Sequence, residues 1–342
     1  MQHDECGGDH GRYRSESIAD KTSYDVYHLS RLAGGKHAVT NPICSREFLG
    51  GMTIHDVAYL VQKSYFKDGL GSSCVSDSEM SECLANYFKP RQIEWNVTKI
   101  SLPGSTSDNG QSAAPSQAAY FAAETTNLNP NVGVIGIRGT SDARDWFEDL
   151  TLWSDVAILQ LVSLVVPLVY VWPQTWTAEW LLLASVRYVV SGESTKAYYS
   201  DVEDFYHNTF THEFKSRNPN ATEANVMFVG HSLGGGLAHI LGARNEVRSV
   251  GLEPPGVALS HKKFGFDRER YDRTAVSLQR DYDLVPQVDK QGGEVAHMPC
   301  DQIDPTHCHI LRPLMCQLRR ECDLVGDVKY LNLSTFQDCK ID

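Results

Sequence analysis

Five residues constrain this chain more than any others: Gly230-His231-Ser232-Leu233-Gly234. They follow the apolar run Val226-Met227-Phe228-Val229, which reads as a buried strand. They precede Gly235-Gly236-Leu237-Ala238-His239-Ile240-Leu241-Gly242-Ala243, small and apolar enough for a buried helix. G-x-S-x-G in that setting is a nucleophile elbow, a strand that turns sharply into a helix with serine at the turn. The flanking glycines let strand and helix approach without a Cβ between them, and the serine takes a strained backbone. The helix N-terminus then aims its free N–H groups and positive dipole end at a reacting carbonyl. The pattern alone is weak because Gly and Ser are common; its context carries it. A glycine-rich turn around a nucleotide phosphate would want Lys beside the Ser or Thr, and none stands here.

The rest of the chain supplies a frame for such an elbow. Residues 132–137 (VGVIGI), 274–278 and 294–298 read as further strands. Helical patterns begin at Thr53, with Val57, Leu60 and Val61 on one face, and cover residues 198–214 and 310–322. Strands alternating with helices predict an α/β fold with a mostly parallel sheet. Residues 104–116 are a loop by composition, and no internal repeat is visible. The expected organisation is a loosely ordered lead-in over 1–52, one α/β domain over 53–325 and a tail over 326–342. Apolar and charged fractions of 42% and 22% are those of a globular protein, which excludes collagen-like and mostly disordered chains. A net charge of −12 repels phosphate backbones, so no nucleic-acid partner is expected.

Nine cysteines leave at least one without a partner inside the chain. Four cluster at Cys300, Cys308, Cys316 and Cys322, which suggests disulfides in a secreted protein and thiols or metal in a cytosolic one. If 316–322 is helical, its rise of about 9 Å exceeds the roughly 7 Å limit for a disulfide, so Cys316 and Cys322 should not pair. His307-Cys308-His309 offers zinc-ligand types, but no C-x-x-C is present, and no metal or cofactor is expected. The N-terminus shows no signal-peptide pattern. Sequons at Asn96, Asn220 and Asn332 give weak support to a secretory context and leave the compartment open.

GHSLGGGLA, preceded by VGVIGI and Arg138-Gly139-Thr140, with Asp145-Trp146 and Asp149 following, resembles the class 3 (fungal-type) triacylglycerol lipases. The resemblance covers roughly residues 53 to 322. It implies an α/β-hydrolase fold and a Ser-Asp-His triad, with Ser232 as nucleophile. The acid follows a strand after the elbow. Asp283 fits the D-x-V-P motif of the family, with Asp281 and Asp289 as alternatives. Three histidines follow: His297, inside a strand, and His307 and His309, in the loop after it. The segment from Cys300 to Cys322 resembles a branch of the family whose histidine directly follows a cysteine, which favours His309, with His307 second. One oxyanion donor would be the N–H of Leu233, the residue after the nucleophile. The other, by resemblance, is Thr140. One departure stands out: where the family often carries F-G-x-P, this chain reads GLEPPGVALSHKKFG, which puts the local sheet edge in doubt.

Residues 158–190 are mostly apolar. The first sixteen, 158–173, span about 24 Å as a helix, short of the roughly 30 Å of a bilayer core. Pro167 and Gln160 interrupt them, and Glu179 and Arg187 follow. A transmembrane hairpin and a buried helix pair are the alternatives to a lid over about 155–192, where the family carries one. Trp153, Trp172, Trp176 and Trp180 suit a membrane–water boundary. The expectation is therefore a lipase that hydrolyses acylglycerol esters and meets a lipid surface through its lid. Phospholipase A1 or diacylglycerol lipase activity is the alternative among enzymes. An inactive lipid-binding protein on the same fold is the alternative outside them. Oligomeric state is left open.

Overall fold

The computed structural model describes residues 41–65, 74, 76–102, 118–139, 197–300 and 302–322. Thr140, the apolar stretch 158–190, the lid span 155–192, the loop 104–116 and the tail lie outside the described residues.

Seven strands form one sheet in chain order: β1 Trp95–Ser101, β2 Tyr120–Thr125, β3 Gly133–Ile137, β4 Val226–His231, β5 Arg248–Leu252, β6 Ala275–Arg280 and β7 Glu294–Met298. β1, β2 and β3 pair antiparallel; β3 through β7 pair parallel. The helices are α1 Ile54–Lys63, α2 Asp77–Phe88, α3 Ala197–Phe205, α4 Thr211–Arg217, α5 Leu233–Asn245, α6 Arg268–Thr274 and α7 Leu311–Cys322. A π turn, Tyr206–Phe210, joins α3 to α4, so the single amphipathic helix expected over 198–214 carries a bulge in its middle. This is an α/β-hydrolase arrangement with a mostly parallel sheet.

Strand order and handedness sort the helices. Parallel crossovers are right-handed, so strands added one after another in the same direction place their helices on one face. Side chains of α3 to α6, among them Tyr199, Phe214, Leu237, Ile240 and Tyr271, share a core with Ile135, Val226 and Phe228. The opposite face is left to the ends of the chain: Val57, Leu60, Leu84, Phe88, Leu314 and Leu318 pack with Val134, Met227 and Val229. Val226, Met227, Phe228 and Val229 thus alternate between two cores, as a period of two demands of a strand buried on both faces.

Three strands and two helices were not expected: β1, β2, β5, α2 and α6. The doubt about a sheet edge near GLEPP is corrected. Gly251 and Leu252 end β5, an interior strand between β4 and β6. β5 is a poor sequence signal because it opens on Arg248 and Ser249; its burial comes from its neighbours. Residues 41–52, inside the expected lead-in, bury Ile43 and Met52, and Cys44 is disulfide-bonded to Cys322 of α7. Cys74 pairs with Cys83 and Cys300 with Cys308, so the C-terminal cysteine cluster closes on itself in part and reaches out through Cys322 to Cys44.

Candidate active site

β4 ends at His231, and Ser232 turns the chain into α5 with φ +55° and ψ −132°. A left-handed φ is costly for a residue with a Cβ, so the surroundings must impose it. The Ser232 N–H donates to Leu252 O at 3.0 Å, and Ser232 O accepts from Gly235 N and Gly236 N at 2.9 and 3.1 Å. Gly230 and Gly234 make the turn sterically feasible. A Cβ on Gly230 would collide with the backbone of Gly234, and one on Gly234 with that of Arg138 and Gly139. Leu233 is the first residue of α5, so its N–H has no partner within the helix.

β6 ends at Arg280, and the chain turns through Asp283, whose Oδ1 accepts from Val285 N at 2.9 Å. After β7, the disulfide Cys300–Cys308 closes a short loop that ends in the 3₁₀ turn His307–His309. These turns bring three side chains into line. His309 Nδ1 lies 2.9 Å from Asp283 Oδ2, and His309 Nε2 lies 2.8 Å from Ser232 Oγ. A carboxylate only accepts, so Nδ1 carries the proton and Nε2 is left to accept from the Ser232 hydroxyl. Burial pushes the Asp283 carboxyl up to about 6; the His309 hydrogen bond opposes this, and the nearby Glu253 charge adds to it.

The other candidates lie elsewhere. Asp289 is buried with its carboxylate on Leu259 N, Ser260 N and Ser260 Oγ at 2.7, 3.1 and 2.6 Å, so it ties the chain after β5. Asp281 follows β6 and its N–H donates to Met298 O. His297 sits in β7 with its side chain exposed. His307 is in the turn itself, and its carbonyl accepts from Arg280. Thr140 is outside the described residues, but Gly139 before it packs against His231 and Tyr65.

Behind the line lies a buried polar group that the sequence did not single out. Tyr65 O–H stands 2.7 Å from His231 Nδ1, and His231 Nε2 stands 3.1 Å from Glu253 Oε2 and 2.9 Å from His309 O. Both partners of Nε2 are acceptors, so Nε2 carries the proton and Nδ1 accepts from the tyrosine. Burial holds the His231 pKa down, consistent with this neutral ring, while the Glu253 hydrogen bond works the other way. Glu253 is fully buried and pairs with Arg280. Desolvation would raise its pKa, but Arg280 and the His231 bond hold it low. The sequence signal was faint: an acid straight after an apolar run, in Gly251-Leu252-Glu253-Pro254. His231, Glu253 and His309 bring ligand-type atoms within 4.8 Å of one another. Those atoms are already committed to hydrogen bonds, and the Arg280 guanidinium on Glu253 opposes a cation.

Residues 134–252 match the family model described as Lipase (class 3). This segment is similar to the class 3 lipases. The matched segment runs from β3 through the elbow to the end of β5. Asp283 and His309 lie beyond it. No curated protein matches the chain in sequence. Among solved structures it is similar to lipase II from Rhizopus niveus, at 12% identity over 69% of this chain and 76% of that one, TM-score 0.35. It is similar to Lip2 lipase from Yarrowia lipolytica at 12% identity over 70% and 77%, TM-score 0.34.

Proposed function

We propose that the chain hydrolyses the carboxylic ester bonds of acylglycerols with Ser232, Asp283 and His309 as its triad. The observation that carries this reading is the hydrogen-bonded line from Ser232 Oγ through both nitrogens of His309 to Asp283, with Ser232 at a strained elbow. Ser232 Oγ attacks the ester carbonyl carbon as His309 Nε2 takes its proton. Negative charge moves to the carbonyl oxygen, which accepts hydrogen bonds from the Leu233 N–H and from Thr140 as its partner donor. Asp283 holds the imidazole tautomer and stabilises the imidazolium. His309 then protonates the departing alcohol. Water, deprotonated by the same nitrogen, adds to the acyl carbon; the bond to Ser232 Oγ then breaks, the acid leaves and His309 returns the proton to Ser232.

The apolar substrate class rests on the rim. The exposed large apolar side chains among the described residues are Tyr282, Leu284, Ile303 and Ile310. Tyr282 and Leu284 flank Asp283, Ile310 follows His309, and Ile303 lies in the loop that Cys300–Cys308 closes. An apolar rim at the acid and base favours a lipid ester over a polar one. A lid within 155–192 would cover that rim in water and open at a lipid surface.

The test is a fluorophosphonate probe followed by a lipid-class turnover panel with Ser232→Ala as the blank. Wild-type protein should label at Ser232 and turn over acylglycerols, and Ser232→Ala should do neither. Folded wild-type protein that takes no label sinks the enzymatic reading. Labelling with turnover of phospholipids alone sinks the acylglycerol assignment.

A further inference from the structure

We propose that Glu253 and Arg280, with His231, are positioning residues for the base: they grip the main chain of the His309 turn and fix its imidazole over Ser232. The proposal rests on His309 being that base. Three carbonyls of four successive residues are held by this group. His307 O and Ile310 O accept from Arg280 Nη2 at 3.3 and 2.8 Å, and His309 O accepts from His231 Nε2 at 2.9 Å. A carbonyl that is held fixes the peptide plane on either side of it, and with it the Cα–Cβ direction of His309. The His309 side chain supplies none of these bonds; it is left to Ser232 and Asp283.

Glu253 is what holds the two donors. One carboxylate oxygen takes the Arg280 Nε–H and the other the His231 Nε2–H. Its own backbone is costly, with φ +52°, and its N–H is fixed on Leu278 O at 2.7 Å. A buried ion pair is weak evidence for stability, because desolvation offsets most of the attraction. A pair that also places three carbonyls of the base's turn has a positional use that an apolar pair could not supply. The group also reaches across the site. Through His231, the second residue of the elbow, it contacts Tyr65, whose hydroxyl packs against Gly139 beside the expected oxyanion turn.

The charge has a second effect. The groups facing Glu253 are Arg280, His231 and His309, and its field reaches Asp283. An anion there favours the protonated form of Asp283. Removing it lowers the Asp283 pKa, so the acid limb of the rate profile moves to lower pH.

Two variants and their pH profiles test this. Glu253→Gln should lower kcat between about tenfold and a hundredfold with little change in KM, because the base is misplaced by a fraction of an ångström. Its acid limb should fall by about half a pH unit or more. Arg280→Lys keeps the charge on Glu253 but loses the fork that spans the carboxylate and two carbonyls. It should lower kcat by a similar factor and leave the acid limb in place. Folded Glu253→Gln with wild-type kcat and an unmoved acid limb would overturn the proposal. If Glu253→Gln does not fold, Arg280→Lys decides alone, and wild-type kcat there overturns it. His309→Ala separates the two readings. Turnover that survives it removes the base assignment itself; turnover that dies with it, beside two wild-type-like variants, removes this proposal alone.

Discussion

Two of the buried histidines, His309 and His239, each touch serine through a ring nitrogen. His309 meets Ser232 at 2.8 Å; His239 meets Ser249 at 2.9 Å and Ser277 at 3.0 Å. Distance alone would rank the three pairs together. What separates them is the other partner and the backbone. His309 has an anion, Asp283, on its second nitrogen and a serine held at φ +55°. His239 lies between two hydroxyls inside the sheet's helical face. Ser277 passes its proton to Gln291, so it accepts from His239 Nε2, and Ser249 donates to Nδ1. That closed ring of neutral groups leaves no place for an imidazolium, and burial pushes His239 down to about 3. A histidine that cannot hold a proton cannot shuttle one.

The largest expected effect would break this contrast directly. His309→Ala should cost about 10⁴-fold in kcat/KM for an ester with little loss of stability. His239→Ala should do the reverse. It leaves two buried hydroxyls short of a partner and opens a cavity, so it should cost about 2–4 kcal/mol in denaturant melts. Turnover per folded molecule should stay near wild type. Loss of activity in a folded His239→Ala protein would collapse the distinction.

Acid should separate the same two sites by pH. Asp283, raised to about 6, takes a proton as pH falls through that value, and the imidazolium loses its counter-ion. Ester turnover should therefore fall through about pH 6. The folded state gains from that proton: the contribution of Asp283 to stability is present at low pH and is lost as pH rises through about 6. His239 has the opposite sign. Its folded pKa lies below its unfolded one, so its contribution is present above about 6.5 and declines as pH falls toward 3. Activity should accordingly fail before the fold does. Coincident loss of turnover and of near-ultraviolet circular dichroism on acidification would contradict this.

The smallest effect concerns the loop that carries the base. Cys300–Cys308 ties the turn of His309 to the end of β7, while the His239 ring lies far along the chain from it. Cys300→Ala with Cys308→Ala should lower kcat several-fold, about tenfold at most, because His231 and Arg280 still hold the turn. A melting study should show the His239 region unaffected. Unchanged kcat would show that the polar grip suffices without the covalent one.

Much of this was legible in the residue order. A strand, G-x-S-x-G and a small-residue helix can be read locally, because the elbow's constraint is steric and falls within a dozen residues. The strands at 132–137 and 274–278 were legible for the same reason, each with apolar residues that announce its burial; 294–298 was legible only by its alternation, since it is buried on one side alone. β1 and β5 were not, since their residues are half polar and their burial is conferred by neighbours; β2 was missed although its run Tyr120-Phe121-Ala122-Ala123 is apolar. Ser232 could be named from its motif, and Asp283 and His309 were favoured over Asp281, Asp289, His297 and His307 only through the family resemblance. The approach of Ser232, Asp283 and His309 to within hydrogen-bond distance, across 51 and 77 residues, is a property of three parallel strands ending at one edge. The histidines show the limit most clearly. GHSLGGGLAH places His231 and His239 in the same stretch, and nothing local says that one ends up beside an acid and the base and the other between two serines. The sequence by itself determined the elbow and the strand-helix rhythm, because both are set by contacts along the chain. The ring environments, and the grip of Glu253 and Arg280 on the His309 turn, were decided by tertiary structure, because they depend on which distant groups share one buried space.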